Sequence, residues 1–245
     1  MQRLCQLFPD DYLEQVGLEV VYHQAGIWQS LAPAGLRDAN VCQMIPSEGQ
    51  MQLCNAAGHP LSKADVTMLA AGAGMHSLTS LALKNVRGQS IRIQSKQALP
   101  EFLTGDINIT HLGGQDFLVG STYELGSNDP QTRLVDTDRL MSDLAQTLNH
   151  RDFTLTAPHA GIRTTFSDRV IGAGLLPAHT ISTAMMAKPN AHLSGPAPAC
   201  YALMGLGSHG ATHAPLAAEA IVSALCGAPS PLPRDLTHLT RLDRF

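Results

Sequence analysis

Hydrophobic and polar residues along the chain form different patterns in successive segments. The first third holds short apolar runs at 18–23, 51–55 and 64–71. The run at 64–71 is almost continuous and ends at Gly72-Ala73-Gly74, which predicts a buried parallel strand followed by a turn. From Leu81 onward polar and apolar residues alternate instead. This period of two predicts antiparallel strands joined by turns, at 86–93, 107–111 and 117–123.

The second half of the chain returns to helical and buried-strand patterns. Leu140, Leu144 and Leu148 recur on one face of a polar segment, which predicts a helix over 136–149. The other predicted elements are a helix start at 32–37, strand ends and turns at 160–163 and 168–172, a proline-rich loop at 189–198, a strand at 199–204 and a helix at 214–225.

This order predicts an α/β fold in which a parallel-type cofactor domain is interrupted by an antiparallel β-sheet that faces the substrate. The predicted cofactor domain covers 1–80 and 159–228, with some substrate-sheet elements in 1–60, and it is partial. The predicted substrate domain covers 81–158, and a C-terminal tail covers 229–245.

Composition excludes several classes of protein. The chain has 245 residues, 44% of them hydrophobic and 15% charged, and its net charge of −4 gives no general case for nucleic-acid binding. The five cysteines form no C-x-x-C pair, which indicates reduced thiols in a cytoplasmic protein. No apolar stretch approaches the ~18 residues of a membrane span, and the first residues lack a signal-peptide core.

The segment Gly205-Leu206-Gly207-Ser208-His209-Gly210 is a G-x-G-x-x-G between a predicted strand and a predicted helix. Glycines there let a backbone approach a ligand, and free N–H groups at a helix start favour an anion. A dinucleotide-binding unit needs a second strand afterwards, and Pro229, Pro231 and Pro233 leave no room for one. The motif therefore indicates the closing half of a cofactor site, or a tight strand–helix turn without a ligand.

Four blocks in order resemble one family. They are Ala64–Gly74, Val86-Arg87-Gly88-Gln89, Ala160–Arg163 with Ser167-Asp168-Arg169, and Gly205–Gly210 with Thr212–Glu219. Together they resemble the FAD-dependent amine oxidoreductases of the D-amino-acid/glycine oxidase type, and among these most closely the tRNA-modifying members. The family opens with its own G-x-G-x-x-G on a βαβ unit, for which we find no counterpart before Leu18. The segment from Leu36 to Leu53 is also shorter than the resemblance implies.

The resemblance implies FAD as cofactor and a Rossmann-like FAD-binding domain. It implies oxidation of a C–N bond beside a carboxylate, which in the tRNA-modifying members removes a carboxymethyl group from a wobble uridine. The flavin is the electron sink, so no catalytic triad is expected. The predicted cofactor contacts are Ala71, Gly72, Gly74, Gly205, Gly207, Ser208, His209 and Gly210; for the first three, a plain strand-end turn is the alternative.

Candidate substrate contacts follow from the same resemblance. Arg163 is the predicted catalytic cation for a carboxylate or the flavin, with a surface arginine as the alternative. Arg87, Gln89 and Tyr123 are predicted to line the substrate sheet, with a residue of the core or of the sheet face as the alternative for Tyr123. Arg87 also belongs to a basic stretch with Lys84, Arg92 and Lys96, which could meet a tRNA backbone or simply face solvent.

His209 and His213 are spaced like zinc ligands, but the glutamate of H-E-x-x-H is absent and no metal is predicted.

Three functions remain open from the sequence. The first is an FAD-linked oxidoreductase acting on a secondary amine, for which the resemblance implies a tRNA wobble nucleotide. The second is a catalytically silent fragment of the same family, and the third is an oxidase of a free amino acid such as glycine. Without the opening βαβ unit, the strand at 66–71 would expose an apolar edge. We therefore expect self-association, or an N-terminal half on another chain, as a partner.

Overall fold

A computed structural model describes residues 21–22, 37–38, 41–47, 49–97, 99–149, 152–181 and 198–244. The chain divides into two compact units: a first unit of 1–81, 173–203 and 218–245, and a second unit of 82–172 and 204–217. The strands are β1 (Val21–Tyr22), β2 (Arg37–Asp38), β3 (Gln43–Ser47), β4 (Gln50–Cys54), β5 (Pro60–Ala64), β6 (Val66–Leu69), β7 (Lys84–Ser95), β8 (Phe102–Leu103), β9 (Asn108–Gly113), β10 (Asp116–Gly120), β11 (Glu124–Leu125), β12 (Phe153–Thr165), β13 (Gly172–Leu175) and β14 (Ala199–Met204). The helices are α1 (Met75–Leu78), α2 (Leu134–Leu148), α3 (Gly210–Cys226) and α4 (Arg234–Thr240), and 3₁₀ turns lie at Gly72–Gly74 and Ala178–Thr180.

The second unit is built on a six-stranded antiparallel sheet. Its strands follow the order β11-β7-β10-β9-β8, and β12 pairs with β7 along its length, from Phe153 opposite Ser95 to Thr165 opposite Lys84. The alternating pattern of β7 explains this sheet. Ile91 and Ile93 are fully buried, whereas Arg92 between them is exposed.

One face of this sheet packs against α2. Eight buried side chains form the core between them: Ile91, Ile93, Ile107, Ile109, Phe117, Val119, Leu140 and Leu144. Leu148 packs against the same cluster, so the predicted apolar face of the helix is confirmed. The opposite face of the sheet is free to form a site.

The first unit contains the predicted parallel strand, β6, but this strand is not buried throughout as predicted, because its residues alternate between exposed and buried. β14 runs parallel to β6, with Ala199 opposite Val66 and Ala202 opposite Leu69, and the sheet order is β13-β14-β6. Among the described residues, β6 is an edge strand of this three-stranded sheet. Its residues Val66 and Met68 are 42% and 44% exposed. The expected pairing of that edge with another polypeptide stays a prediction.

The α/β class predicted from the sequence is confirmed, with several differences in detail. The predicted C-terminal tail contains the short helix α4. Within the predicted helix start at 32–37, Arg37 begins the short strand β2, and the rest of that segment and most of the loop at 189–198 lie outside the described residues. No described helix is both long and apolar enough to cross a membrane.

The two compact units differ from the predicted domains. Residues 159–172 and 204–217 fall with the inserted sheet, because β12 bonds to β7 and Leu206 forms an isolated bridge with Thr165. The assignment of a functional role to each domain stays a prediction.

Candidate active site

The exposed face of the second unit's sheet forms the floor of a cavity of about 620 Å³. In β12, residues 159, 161 and 163 point to the face opposite the helix α2, because side chains alternate along a strand. In β7 the same face carries Gly88 and Ser90. The cavity is lined by Gly88, Ser90, Asn108, Thr110, Leu118, Gly120, Ser121, Tyr123, His159, Gly161, Ile162, Arg163 and Ser208.

Arg163 is the permanently charged residue among those lining residues. Its guanidinium donates from Nη2 to Oγ of Ser121 at 3.0 Å and to the carbonyl oxygen of Thr122 at 3.3 Å, and from Nη1 to Oγ of Ser208 at 3.4 Å. Partial burial lowers the pKa of Arg163, and the nearby Tyr123 opposes that shift. An arginine keeps its charge at neutral pH even so. The cavity therefore presents one fixed positive charge beside hydroxyl groups.

Gly88 makes room for this arginine. A Cβ at position 88 would lie 2.5 Å from Nη2 of Arg163 and 3.1 Å from the carbonyl oxygen of Thr122. Gly161 lies opposite Gly88 on the neighbouring strand. Gly88 thus leaves open the space that the guanidinium of Arg163 occupies, a role that no sequence motif indicated.

The glycine motif at 205–210 forms a turn that leads into α3. Gly205 and Gly207 have φ of +69° and +54°, and the N–H of Gly207 donates to the carbonyl oxygen of Thr164 at 2.9 Å. A Cβ at Gly205 would lie 2.6 Å from Cδ2 of the buried Phe166. Packing against Phe166, and not the approach of a ligand, therefore explains why a glycine is needed at 205.

The hydrogen-bonding groups at the start of α3 bear on whether the turn at 205–210 can hold a flavin. The first N–H groups of a helix, here those of Gly210 and Ala211, have no acceptor within the helix. The first turn of α3 carries no acidic side chain, and Ser208 beside it lines the cavity and accepts from Arg163. Backbone donors and a positive end of the helix dipole fit the electron-rich edge of an isoalloxazine. The residues present therefore fit FAD.

The remaining predicted cofactor contacts lie on both units. The exposed ring of His209 stacks on His213 with centroids 5.4 Å apart. Ala71, Gly72 and Gly74 belong to the first unit, where Gly72 has φ of +55° in a 3₁₀ turn after β6. Their contact with a cofactor stays a prediction.

Arg87 and Gln89 were predicted to contact substrate, and the structure gives them a different role. Both side chains are fully buried on the helix-facing side of β7. Nη1 of Arg87 lies 2.6 Å from Oδ2 of Asp136, and its Nη2 donates to the carbonyl oxygen of Gln131 and to Oε1 of Gln89. Because neither side chain reaches solvent, we assign them to the attachment of α2. The signal for this face was the sequence spacing, because Arg87 and Gln89 occupy every second position before the apolar Ile91 and Ile93.

Tyr123 is exposed and lines the cavity, and its contact with a substrate stays a prediction. Gln89 and Thr122 hold its loop, since the N–H of Thr122 donates to the carbonyl oxygen of Gln89 and the N–H of Gln89 donates to Oγ1 of Thr122, both at 2.9 Å. His159, Ser90 and Asn108 also line the cavity, and no sequence motif marks them. Among the described residues, no group of three or more His, Cys, Asp or Glu residues could hold a metal ion.

A family model described as DAO, FAD dependent oxidoreductase, matches residues 36–224 of the chain. The chain belongs to this FAD-dependent oxidoreductase family. The cofactor predicted from the sequence, FAD, is the cofactor of this family.

Curated relatives within the family are named tRNA 5-methylaminomethyl-2-thiouridine biosynthesis bifunctional protein MnmC. One from a Caulobacter species is 30% identical over 215 residues, covering 85% of this chain and 32% of that protein. Another, from Caulobacter vibrioides, is 33% identical over 199 residues, covering 79% of this chain and 30% of that protein. The chain thus spans about a third of the length of the curated relatives it matches.

Solved structures of the oxidoreductase type share the fold. Glycine oxidase from Geobacillus kaustophilus superposes with a TM-score of 0.69 at 17% identity, over 87% of this chain and 55% of that one. Iminodiacetate oxidase from a Chelativorans species superposes with a TM-score of 0.64 at 19% identity, over 84% of this chain and 53% of that one. Both similarities concern the fold.

Proposed function

We propose that this chain is an oxidoreductase module that oxidises a C–N bond of a secondary amine bearing a carboxylate. The observation that carries the proposal is the guanidinium of Arg163 in the floor of a polar cavity, in a chain of the FAD-dependent oxidoreductase family. Arginine presents a planar fork that matches a carboxylate with two parallel hydrogen bonds.

Arg163 would serve the reaction in two ways. It would bind the carboxylate and so hold the neighbouring C–N bond at a fixed position. Its positive charge would also disfavour the protonated form of the nearby amine, since like charges lower the pKa of an ammonium group. Ser121 and Ser208 would orient the guanidinium, because both accept hydrogen bonds from it.

The residues that would hold FAD are Ser208 and Gly210 at the start of α3, with Gly205 and Gly207 shaping the turn before them. Bound FAD would supply the two-electron oxidising capacity that side chains lack. The first-turn N–H groups would donate to the electron-rich edge of the ring system, and His209 and the turn at Ala71–Gly74 stay predicted contacts.

For the substrate, we propose the carboxymethylaminomethyl group of a tRNA wobble uridine. The relatives at 30% and 33% identity, named for biosynthesis of a methylaminomethyl uridine in tRNA, support this choice. Lys84, Arg92 and Lys96 are exposed on β7 and beyond its end, where they could neutralise phosphates, although Arg92 also pairs with Asp116 at 2.9 Å. The alternative substrate is a free amino acid such as glycine, and a silent fragment of the family is the other alternative.

The first test is the visible absorption spectrum of the purified full chain, with and without added FAD. We expect the visible absorption bands of an oxidised flavin, and we expect them to remain with the protein through a desalting column. A protein that stays colourless after incubation with FAD would contradict the assigned cofactor contacts and favour the silent fragment.

The second test separates the two active alternatives. Flavin bleaching under anaerobic conditions would be followed with tRNA that carries carboxymethylaminomethyluridine, with the same tRNA lacking the modification, and with glycine. We expect bleaching with the modified tRNA alone, and loss of bleaching in Arg163→Gln. Bleaching by glycine at a comparable rate would replace the tRNA proposal with the amino-acid oxidase.

A further inference from the structure

A row of polar side chains crosses the cavity floor at a distance from Arg163. His159 lies opposite Ser90, Ser90 lies opposite Gly120, and Gly120 lies opposite Asn108 in the registers of four neighbouring strands. Side chains on directly opposed residues project to the same face of a sheet. His159, Ser90 and Asn108 therefore form one row on the cavity side, with a gap over Gly120.

Every member of this row carries unused hydrogen-bonding capacity. Within the described part of the structure, the side chains of His159, Ser90 and Asn108 have no hydrogen-bond partner, although all three line the cavity. An imidazole, a hydroxyl and an amide each offer a donor and an acceptor, and none is a carboxylate or a permanent cation. The row therefore suits a neutral ligand group with both donors and acceptors.

The position of the row bears on the size of the ligand. His159 and Arg163 are four residues apart on the same face of β12, which places their Cα atoms about 13 Å apart at the rise of a strand. The guanidinium of Arg163 itself lies beside Gly88, two residues and so about 7 Å along β7 from Ser90. A free amino acid held there by its carboxylate carries no N-substituent that could contact the row. The cavity of about 620 Å³ also has the volume of sites that bind molecules much larger than glycine.

We propose that the row of His159, Ser90 and Asn108 binds the neutral, hydrogen-bonding N-substituent of the amine whose carboxylate is held by Arg163. A pyrimidine nucleoside and a sugar share this chemistry, and the experiment below distinguishes them. The inference rests on the proposed function, because it takes the carboxylate contact of Arg163 as its reference point. It makes the row the feature that selects an extended substrate over a free amino acid.

The test measures binding of three compounds to the full chain by isothermal titration calorimetry, with and without FAD. The compounds are 5-carboxymethylaminomethyluridine, N-fructosylglycine and glycine. The variants are His159→Ala, Asn108→Ala and Arg163→Gln, with His238→Ala as control, since His238 is an exposed histidine on α4 in the other unit. Circular dichroism establishes that each variant is folded.

We expect His159→Ala and Asn108→Ala each to raise the Kd of the nucleoside about threefold to tenfold, which corresponds to one hydrogen bond, and to leave the Kd of glycine unchanged. His238→Ala should change neither. If the row variants weaken the binding of N-fructosylglycine alone, the N-substituent is a sugar. If both row variants bind the nucleoside like the unaltered chain while Arg163→Gln weakens every compound, the inference is overturned and the carboxylate contact stands. If Arg163→Gln changes nothing, the proposed function fails, and the inference fails with it.

Discussion

Arg163 occupies the space that a side chain at Gly88 would need. The shortest separation from a Cβ at 88 would be 2.5 Å, to Nη2 of Arg163, well inside van der Waals contact. Since the end of an arginine is flexible, the guanidinium can move aside, but it then leaves Ser121 and Thr122. The position of the one fixed charge in the cavity thus depends on a glycine in the adjacent strand.

This relationship predicts that Gly88→Ala reduces ligand binding more than it reduces stability. Displacement of the guanidinium should raise the Kd of 5-carboxymethylaminomethyluridine about tenfold, because a hydrogen-bonded charge contributes about that factor. The free energy of unfolding in urea should fall by only about 1 kcal/mol, the lower end of the cost of overpacking, because the atoms closest to the new Cβ are the flexible end of Arg163. Gly105→Ala is the control, since a Cβ there meets no atom within 4 Å. An unchanged Kd in Gly88→Ala would show that ligand binding does not require the observed position of the Arg163 guanidinium.

The sequence predicted the strands better than it predicted which face each residue occupies. The continuous apolar run before Gly72 indicated a parallel strand, and β6 pairs in parallel with β14. Arg163 was selected from a resemblance, and it does line the cavity. Arg87 and Gln89 were assigned to the substrate from the same resemblance, although their spacing of two residues from one another and from Ile91 places them on the buried face.

Other parts of the site depend on contacts between distant segments. Gly88 and Arg163 are adjacent only because β7 and β12 pair in one particular register, which no local pattern specifies. The row of His159, Ser90 and Asn108 draws on three strands in the same way. Side chains that are brought together in this way can be identified only when the pairing register of the strands is known.

A second prediction concerns Gly205 and its contact with Phe166. Gly205→Ala should destabilise the protein by about 2–5 kcal/mol, from the cost of a positive φ together with overpacking against the buried ring. Gly126→Ala is the matched control, because Gly126 also has a positive φ, +83°, but a Cβ there meets no atom within 4 Å. It should cost only about 1–2 kcal/mol. Urea denaturation of both variants measures the difference, and equal losses would rule out the packing explanation.

A third prediction concerns the thiols of Cys200 and Cys226. Burial raises the pKa of Cys200 to about 12, and its residue is 2% exposed on β14, whereas Cys226 is exposed at the end of α3. Because the thiolate is the reactive form, iodoacetamide at pH 8 should alkylate Cys226 in the native protein and reach Cys200 only after unfolding. Peptide mapping by mass spectrometry identifies the modified residue.

The same shift affects stability at alkaline pH. The pKa of Cys200 is higher in the folded state than in the unfolded chain, where it is about 8.5. The contribution of Cys200 to the free energy of unfolding is therefore fully present below about pH 8.5, and it is lost as the pH rises toward 12. Cys200→Ala should make stability less dependent on pH within that window. Rapid native alkylation of Cys200 would contradict both expectations.

A fourth prediction follows from the burial of Arg87 beside Asp136. Removal of Arg87 leaves the carboxylate of Asp136, which is 18% exposed, without its partner, so Arg87→Ala should lower the free energy of unfolding by about 3 kcal/mol, the lower end of the range for a fully buried pair. Arg92→Ala, on the exposed side of the same strand, breaks the pair with Asp116 and should cost less than about 1 kcal/mol. The double variant Arg87→Met with Asp136→Leu contains no unpaired carboxylate at position 136. It should therefore recover part of the free energy of unfolding that Arg87→Ala loses. Urea denaturation measures all three, and a loss of binding in Arg87→Ala without loss of stability would return Arg87 to the substrate site.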